Sequence, residues 1–213
     1  MKPQIILLGA PGSGKGTQAA KLVDSLSYNH LSTGDLLRKE ISSASDLGNR
    51  VKSILAEGNL VDNDTVLELL SSNCDLTSKH YIFDGYPRNI DQVKCLDESV
   101  LKGAASKAVY LHINLDDLAA RLINRRTCGN CSEIYNLISK PPKTDGVCDK
   151  CGKSDLQQRK DDNEETVVTR LNVFRESIEP ILEYYEKQGR LVTVSASGTA
   201  EEVFKSIKKI TEE

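Results

Sequence analysis

Short apolar runs alternate along the chain with longer stretches in which apolar residues recur every three or four positions. The runs are flanked by turn residues and are typical of buried parallel strands, whereas the longer stretches have the period of helices. The predicted strands lie at residues 5–8, 28–31, 81–83, 108–113 and 191–194. Strands that alternate with helices predict an α/β fold with a five-stranded, doubly wound parallel sheet and flanking helices.

The helical pattern predicts the elements between the strands. The first helix follows the first strand, and the second begins at a cap provided by Ser32 or Thr33. A helix-rich segment is predicted over residues 41–57, and further helices are predicted at residues 63–72, 89–99, 116–126, 164–188 and 199–210. We expect Pro180 to kink the longest of them. Arg121 and Arg125 are four positions apart in a predicted helix and should share one face of it.

Residues 127–160 break this alternation. They contain two adjacent prolines, scattered glycines and four cysteines but no long apolar period. We therefore predict an insertion that is not part of the main sheet. The whole chain, residues 1–213, is expected to be one domain, because its length suits a single α/β core with small inserted subdomains.

Composition narrows the classes of partner. The 213 residues are 38% hydrophobic and 28% charged, with a net charge of −3. This balance is ordinary for a soluble protein and provides no general basic field for nucleic acid or an anionic membrane. The apolar run near the N-terminus is too short for a signal peptide or a membrane span. We expect a cytoplasmic monomer that binds neither nucleic acid nor membrane.

A glycine-rich segment links the first strand to the first helix. Gly9, Gly14 and Lys15 satisfy the pattern Gly-x-x-x-x-Gly-Lys, in which backbone N–H groups, the helix N-terminus and the lysine hold phosphates. Gly16 stands where this pattern has a hydroxyl residue, so the hydroxyl expected near magnesium comes one place later, at Thr17. This context predicts a P-loop NTPase-type sheet rather than an ordinary glycine-rich turn.

A second feature directed at phosphate ends the strand over residues 81–83. Asp84 follows this strand directly, and ligands of open parallel sheets bind at the carboxyl ends of the strands. We therefore expect Asp84 beside the phosphate loop, where it would hold a magnesium ion or its waters. His30 has no partner pattern near it and is predicted to be a packed strand residue rather than a catalyst.

Four cysteines in the insertion have the spacing of a metal site. Cys128 and Cys131 form one Cys-x2-Cys pair, Cys148 and Cys151 form another, and sixteen residues separate the pairs. This spacing predicts a closed, structural four-cysteine zinc site. Disulfides and unrelated cysteines are the alternatives, and disulfides do not suit a cytosolic chain. A zinc ribbon that binds nucleic acid is disfavoured by the acidic charge balance.

Several arginines stand on separate predicted elements, each near a strand end or the insertion. They are Arg38, Arg88, Arg125, Arg159 and Arg170. An isolated arginine is usually a solvated surface charge. Beside a phosphate loop, however, the group favours polyphosphate binding, because clustered cations repel one another without an anion.

The motifs together resemble the adenylate kinase family, over almost the whole chain. The segments that carry the resemblance are residues 9–17, 32–38, 84–88 and 159–166, together with Arg170. The cysteine insertion looks like the long, zinc-bearing lid of many bacterial members. The resemblance implies reversible transfer of the γ-phosphoryl group from MgATP to AMP, which gives two ADP and maintains adenine nucleotide balance. It also implies an AMP-binding subdomain at residues 32–61 and a lid at residues 127–164.

The resemblance assigns roles residue by residue. The ATP site would comprise Gly12, Ser13, Gly14, Lys15, Gly16, Thr17, Arg121, Arg125, Ile134, Tyr135 and Ala200. The AMP site would comprise Thr33, Arg38, Asn59, Leu60, Val61, Gly85, Tyr86, Pro87, Arg88, Gln92, Arg159 and Arg170. The implied catalytic residues are Lys15, Arg38, Arg88, Arg125, Arg159, Arg170, Asp161 and Asp162. Thr17 and Asp84 would hold magnesium through water, and Cys128, Cys131, Cys148 and Cys151 would hold zinc.

Two alternatives remain open: a kinase for another nucleoside monophosphate, and a zinc-stapled ATP-binding module without transfer activity. Gln92 would read the adenine edge of AMP and so favours the adenylate reading. Tyr86 and Asn89 stand where the family more often has Phe and Thr, which puts the fine packing around AMP in doubt. By resemblance, the bond between Tyr86 and Pro87 is expected to be cis.

Overall fold

The computed structural model describes residues 2–212. Met1 and Glu213, the ends of the predicted domain, lie outside the described residues. The main sheet consists of β1 (Gln4–Gly9), β2 (Asn29–Ser32), β3 (Tyr81–Asp84), β4 (Ser106–His112) and β8 (Leu191–Ser195). These strands are parallel and have the order β2-β3-β1-β4-β8, which confirms the predicted fold class.

The central strand, β1, is buried on both faces, as its apolar sequence predicts. Ile5 and Ile6, which point to opposite faces, are both 0% exposed. Leu7 of β1 and Ser32 of β2 are both in register with Asp84 of β3. The carboxyl ends of these three neighbouring strands therefore lie at one edge of the sheet.

Helices flank the sheet. They are α1 (Lys15–Leu26), α2 (Thr33–Ser42), α3 (Asp46–Ala56), α4 (Asn63–Ser72), α5 (Ile90–Cys95), α6 (Leu118–Ile123), α7 (Glu164–Lys187) and α8 (Ala200–Glu212). Ser32, Asp62 and Asn163 cap α2, α4 and α7, because each side chain accepts a hydrogen bond from a backbone N–H of the first turn.

The segment predicted as helix-rich over residues 41–57 contains the end of α2 and the whole of α3, with a break between them. Ser45 caps α3 by accepting a hydrogen bond from the backbone N–H of Gly48. Gly48 also packs against the backbone at the end of α2, where an added Cβ would lie 2.1 Å from the carbonyl oxygen of Glu40. The serine cap and this close approach favour a corner between two helices.

Two further predicted helices are shorter than expected. Beyond Cys95, the helix that follows β3 continues as a π-helix, Leu96–Leu101. The helix that follows β4 ends at Ile123, and Arg125 begins a strand. The helical face predicted for Arg121 and Arg125 is therefore wrong.

The insertion forms its own small sheet, separate from the main one as predicted. Its strands are β5 (Arg125–Cys128), β6 (Ile134–Asn136) and β7 (Leu156–Gln157), which are antiparallel and have the order β6-β5-β7. Arg125 is in register with Asn136 and Thr127 with Ile134. This pairing explains why helix α6 ends early, since the backbone of residues 125–128 is used by the sheet.

An apolar layer covers each face of the main sheet. One layer includes Ala19, Leu22, Leu122, Phe204 and Ile207, and the other includes Leu37, Val51, Leu70, Val93 and Leu96. Helix α7 contributes to both layers, because Val167 packs in the first and Ile181 in the second. Pro180 lies inside this helix, and its kink stays a prediction. Among residues 2–212, no helix has the length and apolar character that crossing a membrane requires.

Candidate active site

The loop between β1 and α1 has the backbone of a phosphate cradle. Gly9, Gly12 and Gly14 have φ angles of 148°, 84° and 97°, which glycine adopts without steric cost. Lys15 is the first residue of α1, and its Nζ donates to the carbonyl oxygens of Gly9 at 2.7 Å and Ala10 at 3.0 Å. The N–H groups of the first helical turn and the lysine ammonium therefore lie in the same space.

Asp84 lies beside this loop at the end of β3. Nε2 of His30, on β2, lies 3.2 Å from Oδ2 of Asp84. Burial raises the pKa of Asp84, but the hydrogen bond with His30 and the charges of Lys15, His30 and Arg88 outweigh burial and lower the pKa to about 2. His30 lies on a strand as predicted, and it also pairs with the carboxylate of the site, a contact that no pattern near it in the sequence indicates.

Lys15 belongs to a cluster of positive charges. Burial lowers the pKa of Lys15 to about 8, with repulsion from Arg88, Arg170 and Arg125 acting in the same direction and attraction to Asp84 opposing it. The mutual repulsion of these groups is unfavourable in the free protein. A bound polyphosphate would relieve it.

One wall of the cleft is formed by the start of α2 and the chain after β3. Oγ1 of Thr33 donates to the carbonyl oxygen of Gly85 at 2.9 Å, and Nε of Arg88 donates to the same oxygen at 2.8 Å. Nη2 of Arg38 donates to Oδ1 of Asp35 at 2.6 Å. Two arginines are thus placed on one side of the cleft by different elements.

Gln92 is 2% exposed and has a partner at each end of its side-chain amide. Oε1 accepts a hydrogen bond from the backbone N–H of Arg88 at 2.7 Å, and Nε2 donates to Oδ1 of Asn63 at 2.9 Å. Asn89 also donates to Oδ1 of Asn63, at 3.0 Å. Asn89, one of the departures from the usual family residues, therefore helps to hold the side chains around Gln92.

On the opposite wall, a buried carboxylate holds two arginines. Asp162 is 0% exposed, and Arg125 donates to it through Nε at 2.8 Å and Nη2 at 2.5 Å. Nη1 of Arg170 donates to Oδ1 of Asp162 at 2.9 Å and lies 3.1 Å from Oδ2 of Asp161. Strand β5 and helix α7 thus deliver their arginines to one place.

Arg159 bridges the lid and the wall formed by α2. Its Nε donates to Oγ1 of Thr127 at 3.2 Å, and its Nη2 lies 3.7 Å from Oδ1 of Asp35. Burial lowers the pKa of Arg159 to about 10, and repulsion from Arg38 and Arg125 adds to this effect. The lid arginine therefore lies among the other cations.

These groups line a cleft of about 1110 Å³, which exceeds the usual ~300–1,000 Å³ of a pocket for one small ligand. The assigned residues on its wall are Gly12, Ser13, Gly14, Lys15, Gly16, Thr17, Thr33, Arg38, Asn59, Leu60, Val61, Asp84, Gly85, Pro87, Arg88, Gln92, Arg121, Arg125, Ile134, Tyr135, Arg159, Asp161, Arg170 and Ala200. Asp162 lies behind the arginines that it holds. Tyr86 packs into the core at 1% exposure, and its bond to Pro87 is cis as expected.

Three polar side chains that organise this cleft were not predicted from the sequence. They are Gln18, His30 and Asn63. Gln18 is 3% exposed on α1, and its Nε2 donates to the carbonyl oxygen of Ala200 at 3.0 Å, so it joins the phosphate-loop helix to α8. Its position among apolar residues of an amphipathic helix was a signal, since a buried polar side chain needs a partner.

The four cysteines of the insertion come together. Their sulfur atoms all lie within 4.8 Å of one another, with 3.6 Å between Sγ of Cys128 and Cys151 and 3.5 Å between Sγ of Cys131 and Cys148. Four thiolates at the usual Zn–S distance around a tetrahedral ion lie about 3.8 Å apart. The thiols are not joined as disulfides, and the donor set fits zinc.

Together these features define a class of protein. A phosphate loop, a carboxylate at the end of the neighbouring strand and arginines from two opposite walls share one cleft. These are the groups that position and neutralise a polyphosphate during phosphoryl transfer. The fold and the site are those of a P-loop phosphotransferase that binds nucleotides.

Comparison with known proteins narrows this class. The adenylate kinase family model matches residues 7–190. Adenylate kinase of Thermosipho melanesiensis is 45% identical over 213 residues, which cover 97% of this chain and 98% of that protein. The corresponding values are 42%, 98% and 99% for the protein of Thermodesulfovibrio yellowstonii, and 43%, 94% and 93% for that of Streptomyces avermitilis. The chain belongs to the adenylate kinase family and is an enzyme, which confirms the resemblance.

Proposed function

We propose that the cleft binds MgATP and AMP side by side and transfers the γ-phosphoryl group of ATP to AMP, which gives two ADP. The convergence of cations from both walls supports this most strongly. The residues concerned are Lys15, Arg38, Arg88, Arg125, Arg159 and Arg170. Two nucleotides with adjoining phosphates bring several negative charges together, and a cation cluster of this size would balance them.

The ATP half of the site lies between the phosphate loop and the lid. The loop N–H groups and Lys15 would hold the phosphates, because glycine leaves the backbone open to close approach. Arg121 and Ala200, which both line the cleft, would contact the adenine. Ile134 and Tyr135, on β6, would cover it from the lid side.

The AMP half lies between α2, the chain after β3 and α5. Arg38 and Arg88 would bind the AMP phosphate, and Thr33 beside Gly85 would line the pocket. The lining is completed by Asn59, Leu60, Val61 and Pro87, whereas Tyr86, which the resemblance assigned to this pocket, packs in the core next to it. Gln92 would read the adenine edge, and this requires its amide to exchange at least one of its present hydrogen bonds, to Arg88 or Asn63, for the base.

Asp84 and the Thr17 hydroxyl are the groups that would hold magnesium through water. The depressed pKa of Asp84, at about 2, keeps this carboxylate ionised at neutral pH, as a hard cation requires. Magnesium bound with ATP would neutralise charge on the phosphates. His30 would orient this carboxylate through its contact with Oδ2 of Asp84.

The chemical role of the protein is positioning together with charge neutralisation. Phosphoryl transfer has a loose transition state and needs little covalent chemistry from side chains. Arg125 and Arg170 would contact the transferring group, and Asp161 and Asp162 would fix their orientation. With the lid against the α2 wall, as the contact of Arg159 with Asp35 places it, Arg159 would bind the phosphates and the lid would exclude water, a competing nucleophile; the adenylate kinase lid is itself a standard example of such closure.

We also propose that the cysteine cluster binds one structural zinc ion. Cys128, Cys148 and Tyr135 are the buried members of a small core, with Cys131, Cys151 and Leu156 packed around them. So little apolar surface stabilises a subdomain weakly, and a closed metal site would provide the missing free energy. The four thiols would leave no coordination position for substrate, so the ion would take no part in the reaction.

The domain roles follow from these positions. Residues 32–61 would form the AMP-binding subdomain and residues 127–164 the lid, both within one nucleoside monophosphate kinase domain. One chain supplies every group of the proposed site, which suits a monomer. Free thiols suit the reducing conditions of the cytoplasm.

Single arginine variants test the assignment of the two halves. Arg88→Ala should raise the KM for AMP and lower kcat/KM by about 10- to 100-fold, because a charge-assisted hydrogen bond contributes roughly 1.5–3 kcal/mol. Arg121→Ala should raise the KM for ATP instead. Arg175→Ala is the matched control, because this arginine is exposed on the outer side of α7 and its guanidinium contacts Asn172 of the same helix. Initial rates measured with one nucleotide varied at a time give the KM for each nucleotide. An unchanged rate in Arg88→Ala would refute the role of Arg88 in AMP binding.

A further inference from the structure

Tyr135 lies where the cysteine cluster meets the nucleotide cleft. The residue is 2% exposed, and its hydroxyl oxygen lies 3.4 Å from Sγ of Cys148. The backbone N–H of Asp149 donates to the same hydroxyl at 2.7 Å. Tyr135 is therefore the side chain through which a cleft-lining strand contacts a metal-binding sulfur.

The hydrogen-bond pattern allows this hydroxyl to donate to Cys148. Because the N–H of Asp149 occupies one lone pair of the oxygen, the hydroxyl proton is free to point at Cys148. A sulfur that ligates a metal is an anionic acceptor, and a donor placed on it stabilises the ligand. The contact is thus suited to a metal-bound thiolate.

Tyr135 is also one of the residues that line the cleft. Its neighbour Ile134 reaches the phosphate loop, since the Ile134 Cδ1 lies 3.1 Å from the position that a Cβ on Gly16 would occupy. In β5, the partner of Tyr135 is Arg126, which directly follows Arg125. A shift of Tyr135 would therefore move groups at the ATP half of the cleft.

The geometry points to Tyr135 as a positioning residue that connects metal retention with nucleotide binding. Its hydroxyl retains zinc by donating to Cys148, and its ring holds the lid strand against the cleft. Bound zinc then favours the arrangement of Tyr135 that nucleotide binding requires, and bound nucleotide favours the arrangement that retains zinc. The two binding events therefore strengthen each other. This inference rests on the proposed zinc site and on the proposed ATP half.

Release of zinc to an excess of a coloured chelator tests the first part. Tyr135→Phe keeps the ring and removes the hydroxyl, and it should release zinc about 10- to 100-fold faster, the usual cost of losing a partner of a metal ligand. The matched control is Tyr28→Phe, another buried tyrosine, whose hydroxyl donates to the carbonyl oxygen of Pro3 at 2.9 Å. Release from Tyr135→Phe at the wild-type rate would overturn the inference.

Two further measurements separate this role from simple packing. In the cobalt-substituted proteins, the sulfur-to-cobalt absorption band should shift in Tyr135→Phe and stay unchanged in Tyr28→Phe. The substitution Tyr135→Phe should lower the melting temperature more when zinc is bound than when zinc is removed, because loss of the hydrogen bond from Asp149 is common to both states. An equal loss in the metal-free proteins would show that the hydroxyl serves packing, and would overturn the inference.

The effect of bound nucleotide on zinc release tests the connection between the zinc site and the cleft. Saturating ADP should slow zinc release from the wild type, and it should slow release from Tyr135→Phe less. Because ADP itself binds zinc, a control without protein measures how the same ADP changes the reaction of free zinc with the chelator. Equal slowing in both proteins, or no slowing in the wild type, would contradict this connection. The wild-type measurement tests the connection even if the variant does not fold. A wild-type chain that takes up no zinc would refute the zinc site as well, whereas normal zinc content with unchanged release would refute this inference alone.

Discussion

Replacement of Asp162 by Asn should destabilise the protein and slow its reaction. The carboxylate is fully buried and accepts three hydrogen bonds, two from Arg125 and one from Arg170. Asn keeps the volume but removes the charge, so two guanidinium groups lose their common counterion.

The magnitude follows from burial. Removing one partner of a buried ion pair costs about 3–5 kcal/mol. Because the side chains of Arg125 and Arg170 are 14% and 15% exposed, water compensates in part, and we expect about 2–3 kcal/mol. For a chain of this size, that corresponds to a melting temperature lower by about 4–12 °C. Loss of the productive arginine geometry should lower kcat by roughly 100-fold.

Asp161→Asn provides the matched control. Asp161 is the adjacent residue, and its carboxylate pairs with Arg170 at 3.1 Å but not with Arg125. Its replacement leaves Arg170 the carboxylate of Asp162, so the loss of stability should be clearly smaller than that of Asp162→Asn. Thermal melts and coupled measurement of ADP formation at saturating substrates give both quantities. Equal effects of the two substitutions, or a melting temperature and kcat of Asp162→Asn at wild-type values, would refute the reasoning.

Two other predictions concern the metal and the histidine. Metal analysis should find about one zinc per chain. The substitution Cys148→Ser should lower both the zinc content and the melting temperature. An unchanged melting temperature after zinc removal would contradict the proposal that zinc stabilises the lid. His30→Leu should remove about 1–2 kcal/mol near pH 4. The pKa of Asp84 is lowered to about 2 from 3.8, so its stabilisation is complete above pH 3.8 and is lost as the pH falls towards 2. The variant should therefore unfold at a higher pH during acid titration, and an unmoved midpoint would argue against the pair.

The sequence predicts the main sheet well because local and tertiary effects agree there. Runs such as residues 5–8 are apolar on both faces, and a parallel strand covered by two helical layers requires this. The phosphate loop is equally local, since its glycines, its lysine and the helix that follows are contiguous. For such elements, the order and spacing of the residues along the chain are enough to predict most of the local structure.

Predictions failed where distant residues decide the outcome. Arg125 continues a helical pattern, but pairing with Asn136 across the lid sheet draws it into a strand. The partner of His30 is Asp84, which the parallel register of β2 and β3 brings close although 54 positions separate them. The contact of Gln92 with Asn63 likewise joins two elements that no short motif connects.

Transfer of labelled phosphate tests the central claim most directly. The chain is incubated with magnesium and ATP labelled at the γ-phosphate, with AMP, CMP, UMP or GMP as acceptor, and the labelled products are separated. The account predicts that label passes to the β-phosphate of ADP when AMP is present, with little label on the other diphosphates and little free phosphate. Label that stays in ATP, passes preferentially to another monophosphate or appears mainly as inorganic phosphate would contradict it.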